Sequence, residues 1–320
     1  MKAVLVSGDR FTVRTDLPRP IRGAGEALIK VTVAGVCTSD WEVVRGTMEF
    51  NGIPGHEFAG VVEDADNFDL IGARVVGEIN SPCGHCELCR MGLGRHCRSR
   101  TTIGLSRKDG SFAEYLTLPE RNLHRVPDDM PDDVAVFAEP VSTAVSAVEK
   151  LKPGPHDRAA VIGEGWLGLI VAELLAARCK VILLGYSQQR MQVARGLGFD
   201  VELADAYSTR NIDMAIETTG TGAGFRRGLL ILNPGGKLGI AAMIMGDTPM
   251  PLWKISGDEI QLIGLRGAAF PKAIDALKTG AVKTEKLVTD RFRLDDFPQA
   301  ITRSHESDAI KVLLYPAGLP

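Results

Sequence analysis

Apolar residues in the first third of the chain alternate with polar ones or come in short runs, at residues 2–6, 27–33, 58–63, 74–77 and 111–118. Runs of this length, punctuated by Pro and Gly, predict strands and a compact β-rich unit reaching to about residue 118. The spacing then changes. Asp132 and Asp133 follow the turn-forming stretch 126–131 and predict a capped helix start, since an Asp there accepts orphan amide protons and suits the positive end of the helix dipole. Val134, Phe137, Val141, Val145 and Val148 recur at helical spacing, with Glu139-Pro140 expected as an interruption.

From Arg158 onward strands and helices alternate: a buried strand at 158–162, a helix at 169–177, a strand at 180–184, then strands at 213–216, 237–240 and 260–265 with a helix reaching to 232. Alternation of this kind predicts a parallel sheet with helices on both faces and ligands at the carboxyl ends of its strands. Thr218, Thr219 and Leu265 fall at such ends. The final signals, strands at 287–289 and 310–314 and a helix at 295–303, are expected to rejoin the first unit.

Composition narrows the choice. A chain of 320 residues with 45% hydrophobic content can bury a large core and favours two domains. A net charge of -3 gives no general attraction to nucleic acid or an anionic membrane, and no apolar run reaches the length of a membrane span. The N-terminal apolar run is too short for a signal peptide, so a cytoplasmic protein is expected. Four of the six cysteines fall within fifteen residues, as Cys83, Cys86, Cys89 and Cys97, which under reducing conditions points to metal rather than disulfides. Their Cys-x2-Cys-x2-Cys-x7-Cys spacing, with glycines between, suits one structural zinc closed by four thiolates. Arg90, Arg95, Arg98, Arg100, Arg107 and Lys108 make this lobe basic, and a solvated face explains them better than an anionic partner.

Two further constellations carry chemistry. The stretch 36–60 gathers Cys37, Ser39, Asp40, His56 and Glu57, a donor set that a borderline-soft cation takes, and Glu139 is a carboxylate in an otherwise apolar segment. Gly163-Glu164-Gly165-Trp166-Leu167-Gly168 joins the first strand of the alternating half to its helix, as Gly-x-Gly-x-x-Gly does where a dinucleotide pyrophosphate sits on a helix N-terminus. The acid that usually follows on the second strand is missing from Leu183-Leu184-Gly185-Tyr186-Ser187. Gly185 leaves room for a 2'-phosphate that Ser187 and Arg190 would contact, so NADP is favoured slightly over NAD.

These residues together resemble the zinc-containing medium-chain dehydrogenase/reductase family, the alcohol, polyol and threonine dehydrogenases. The likeness rests on Gly35-Val36-Cys37-Thr38-Ser39-Asp40, Gly55-His56-Glu57, the lobe 83–97, residues 110–115, Glu139-Pro140 and Gly163 to Gly168. It implies an α/β protein: a β-rich, GroES-like catalytic domain from residues 1–140 and 267–320, and a doubly wound Rossmann domain at 141–266, with substrate in the cleft. It further implies a catalytic zinc on Cys37, His56 and Glu139, with Glu57 also able to approach it. Two zincs per chain follow. Ser39 would take the substrate proton, Asp40 would orient His56, Glu42 stands where relatives often relay a proton through His, and Thr38 would face the cofactor. The implied partners are a small alcohol or carbonyl substrate and further copies of the chain, as homodimer or homotetramer. Trp41, Phe50, Phe112 and Met243 are candidates either for an apolar pocket or for the core. The alternatives are a zinc-free NADPH-dependent reductase of activated C=C bonds on the same fold, and a non-enzymatic zinc protein.

Overall fold

The computed structural model describes residues 1–267 and 269–319. Its contacts separate residues 1–139 with 288–320 from residues 140–287. The division falls at Val288 rather than at the expected 267, so the amphipathic helix Phe270–Lys278, with Phe270, Ala273 and Leu277 buried, is counted with the second unit. The last residue of the expected span, Pro320, lies outside the described residues.

The first unit is built on a seven-stranded sheet. Its spine is Glu26–Gly35, flanked by Glu57–Asp64 on one side and Lys311–Tyr315 on the other, and paired over its first half with Tyr115–Pro119. A strand with neighbours on both sides and cover on both faces reads as continuous apolar sequence, and Ala27, Leu28, Ile29, Val31, Val33 and Ala34 are all buried. The register decides the chemistry. Gly35, the last residue of the spine, pairs with Glu57 in one neighbour and with Leu313 in the other. Residues 36 and 37, 56 and 57, and 311 are therefore delivered to one end of three adjacent strands.

The second unit is a parallel sheet of six strands in the order Asp200–Leu203, Lys180–Gly185, Arg158–Ile162, Ile212–Glu217, Leu232–Ile240, Gln261–Gly264. The chain winds outward from Arg158–Ile162 in one direction and then restarts beside it with Ile212–Glu217. That reversal is the switch point at which doubly wound sheets bind ligands. The helix Ala138–Leu151 contains Pro140, which does not interrupt it. Pro140 is in the first turn, where no intrahelical N–H is required, so the expected break at Glu139-Pro140 is absent and a short helix, Asp132–Ala135, precedes it instead.

Candidate active site

Cys37 is the N-cap of the short helix Thr38–Val44. Asp40, three residues on and fully buried, reaches back so that its Oδ2 accepts the Cys37 N–H at 2.8 Å, satisfying a donor the helix leaves orphaned. Its other oxygen, Oδ1, lies 3.2 Å from His56 Nδ1. A carboxylate at Nδ1 fixes the proton there and leaves Nε2 as the lone-pair nitrogen, the form a metal ligand needs. Ser39 Oγ is 3.4 Å from that Nε2. One carboxylate thus anchors a helix start and sets a tautomer.

Glu57 is fully buried and forms an ion pair with Lys311, which is equally buried. Space for the pair comes from Gly35, where a Cβ would collide with the Glu57 carboxylate and stand 3.0 Å from Lys311 Cε. Gly55 is held at φ +92 beside the Phe112 ring, a conformation and a contact that exclude any side chain and so fix the approach of His56.

One ligand atom each from Cys37, His56 and Glu57 lies within 4.8 Å of the other two. Sulfur, imidazole and carboxylate converge closely enough to share one cation, and three protein ligands leave a position for substrate. Glu139 is outside this group of three. Burial pushes its carboxyl up to about 7, a shift that His56 opposes and Glu57 adds to, so it is a poorer anion at neutral pH than an exposed Glu. Glu42 is half-buried and Thr38 exposed, and neither belongs to the group. Of the four residues that suit either a pocket or the core, Phe50 and Phe112 are core: both are buried in the apolar cluster of this unit, where Phe112 packs on Gly55 and Phe297. Trp41 is half-buried and stacks on His305 at 4.0 Å, while Met243 is exposed.

Burial works against a charged His56 ring, but Asp40 and Cys37 more than offset it, and the imidazole holds its proton to higher pH than a free His. A cation that takes this site must displace that proton. Zinc affinity here is therefore expected to fall as pH drops, by about tenfold or more per unit from about pH 8 to about pH 6. Competition with a chelator across that range measures it, and a flat profile contradicts the assignment of His56.

The four-cysteine lobe is a second donor set. Neighbouring Sγ atoms stand 3.4, 3.5, 3.7 and 3.9 Å apart. Zn–S bonds of about 2.3 Å in a tetrahedron require edges of about 3.8 Å, so the thiolates fit one zinc without rearrangement. The backbone amides of His85 and Cys86 draw the Cys83 thiol down to about 6, into the range where the thiolate a metal needs is the stable form.

In the second unit the glycine turn has the shape its sequence predicts. Gly163 lies at φ +113 with Thr218 Oγ1 2.7 Å from where its Cβ would be, Gly168 is pressed on the Gly163 carbonyl, and a Cβ at Gly165 would meet nothing. Gly165 caps the helix Trp166–Ala176, which Trp166 and Leu167 begin, leaving open space over its first amides. Thr218 Oγ1 donates to the Ile162 carbonyl at 2.8 Å, tying the two strands at the switch point. Thr219 donates to Glu217, a buried carboxylate whose pKa burial raises. Leu265 donates its N–H to the Ile240 carbonyl at 2.9 Å. The pyrophosphate cradle therefore fits a dinucleotide.

Three residues absent from the sequence-based site matter here: Lys311, Glu164 and Glu217. Lys311 stands in an otherwise apolar strand, Lys311–Tyr315, and a charge in such a run is the signal of a buried partner.

The alcohol dehydrogenase GroES-like domain family matches residues 23–128. An L-threonine 3-dehydrogenase of Chelativorans sp. (strain BNC1) is 31% identical over 324 residues, covering 93% of each chain. The chain belongs to the zinc-containing medium-chain dehydrogenase/reductase family. Among solved structures, a short chain alcohol dehydrogenase of E. coli CFT073 complexed with NADH superposes with a TM-score of 0.90 at 26% identity, over 98% of this chain and 99% of that one. A zinc-binding dehydrogenase of Sinorhizobium meliloti 1021 bound to NADP superposes with a TM-score of 0.91 at 25% identity and the same coverage. Both superpositions cover 98% of this chain and so take in both of its units. The medium-chain dehydrogenase/reductase fold and both zinc donor sets are present in this chain, which leaves no support for the zinc-free reductase or the non-enzymatic zinc protein.

Proposed function

We propose that the enzyme oxidises a secondary alcohol or polyol to its carbonyl compound, and reduces it in reverse, with Cys37, His56 and Glu57 as the ligands of the catalytic zinc. The reaction class is that of the family: zinc-dependent dehydrogenation linked to NAD or NADP. The observation that carries the reading is the convergence of those three donors beside a carboxylate-oriented imidazole. Zinc held there would act as a Lewis acid on the substrate oxygen and ease loss of its proton near neutral pH. Ser39 Oγ would receive that proton and pass it outward, towards Glu42 three positions further along the helix. Asp40 keeps the His56 ring in one tautomer. Lys311 holds Glu57 against solvent-free surroundings, and Glu139, about half-ionised at pH 7, is a reserve ligand that gains charge as pH rises. The dinucleotide would supply the hydride acceptor, with Gly163, Gly165, Trp166, Leu167 and Gly168 as the residues to hold its pyrophosphate and Thr218, Thr219 and Leu265 as further contacts within the same unit.

A cytoplasmic setting suits a chain whose six cysteines are all unbridged. No described helix is long and apolar enough to cross a membrane. Assembly as a homodimer or homotetramer is supported by exposed Met250, Leu252 and Trp253 and by Leu262, exposed on the edge strand Gln261–Gly264.

A panel of secondary alcohols, polyols and primary alcohols, run with each dinucleotide and followed by nicotinamide absorbance, tests the proposal. Turnover is expected to concentrate on secondary hydroxyls. Activity confined to the reduction of C=C bonds contradicts it.

A further inference from the structure

Dinucleotide-binding sheets usually read the adenosine ribose with an acid at the end of the second strand, and the strand Lys180–Gly185 ends without one. The structure brings a carboxylate there from another place. Glu164 lies between two glycines of the first βα turn, is only 5% exposed, and its Oε1 accepts the Ser187 N–H at 2.6 Å. Its Cδ stands 3.2 Å from where a Cβ at Gly185 would be. That Cβ would also stand 2.5 Å from Met191 Cγ. The missing side chain at 185 and the carboxylate from 164 are thus two halves of one arrangement: the strand end is bare because Glu164 fills the space.

The Ser187 donors credited to a 2'-phosphate are committed by the same contacts. Ser187 gives its N–H to Glu164, while its hydroxyl caps the helix Gln188–Gly196 through the Arg190 N–H and donates to Gln189 Oε1 at 3.2 Å. A 2'-hydroxyl entering here meets the acceptor it needs in the second oxygen of Glu164. A 2'-phosphate, carrying nearly two negative charges, meets the oxygens of a buried carboxyl group rather than a cation or a set of N–H donors.

We propose that Glu164 is the ribose-reading acid of this enzyme and turns its preference to NAD, against what Gly185, Ser187 and Arg190 suggest from sequence alone. The inference rests on the dehydrogenase reading above. It differs from the usual arrangement in that the acid comes from the glycine turn itself.

Dissociation constants of NADH and NADPH, measured on the full-length protein by nicotinamide fluorescence, test it without any substrate. The wild type is expected to bind NADH more tightly than NADPH. Glu164→Gln keeps an oxygen for the Ser187 N–H and removes the charge, and is expected to move the ratio of the two constants towards NADPH by about tenfold to a hundredfold. The wild-type ratio needs no variant, so it stands even where the substitution harms folding. Tighter binding of NADPH by the wild type, or an unchanged ratio in a folded Glu164→Gln protein, overturns the assignment of Glu164. Binding of neither dinucleotide overturns the dehydrogenase reading along with it.

Discussion

Cys37→Ala is expected to lower kcat by about three orders of magnitude or more while leaving the fold intact. The magnitude follows from what the residue supports: Lewis-acid stabilisation of a developing alkoxide contributes several kcal/mol, and each 1.36 kcal/mol is about tenfold in rate. The fold survives because Cys37 is only half-buried and the start of the helix Thr38–Val44 is held by the Asp40 carboxylate through the backbone N–H of residue 37, which the substitution retains. Steady-state kinetics beside a thermal melt checks both halves. A variant that turns over at the wild-type rate removes Cys37 from the chemistry, and one that melts far below the wild type shows a structural residue instead.

Lys311→Met is expected to cost about 3–5 kcal/mol of stability, the usual penalty for stripping the partner from a buried charge. Lys311 and Glu57 are both shielded from water, so solvent screening does not reduce the figure as it does at a surface. Combining the change with Glu57→Gln is expected to recover most of the loss, because the second substitution removes the uncompensated anion. Thermal or urea denaturation of the two variants gives the comparison. A single variant as stable as the wild type, or a double variant no better than the single, contradicts a paired burial of the two residues.

Much of this arrangement is legible before any coordinates. The four-cysteine lobe is contiguous, so its spacing alone specifies the cluster, and the sulfur positions add only that the cage is already near the right size. The glycine turn is legible for the same reason, since Gly163, Gly165 and Gly168 act within one strand-to-helix connection. Cys37 and His56 lie nineteen residues apart but are joined by a single antiparallel pairing, that of Gly35 with Glu57.

What the sequence hides depends on residues far apart in the chain. Lys311 enters the site through the last strand of the protein, which pairs with the spine beside Gly35, and nothing near Glu57 announces it. The weight placed on Glu139 over Glu57 as a ligand comes from resemblance, whereas the carboxylate that the strand pairing brings into the group of three is Glu57, and burial raises the Glu139 carboxyl to about 7. Pro140 reads as a break until its position in the first turn is known. Glu164 is hidden differently. It sits inside a motif whose glycines attract all the attention, and its role depends on the emptiness of Gly185, a residue twenty-one positions away whose lack of a side chain reads from sequence as room for a phosphate.

The central claim is that this chain holds two zinc ions on separate donor sets and that only one of them takes part in turnover. Metal analysis of the purified wild type and of Cys37→Ala tests it most directly. The wild type is expected to carry two zinc ions per chain, one for each donor set, and the variant to retain the ion in the lobe of Cys83, Cys86, Cys89 and Cys97 while losing the other together with its activity. A wild type with zinc in the lobe alone that still oxidises alcohols, or a variant that keeps both ions, contradicts the account.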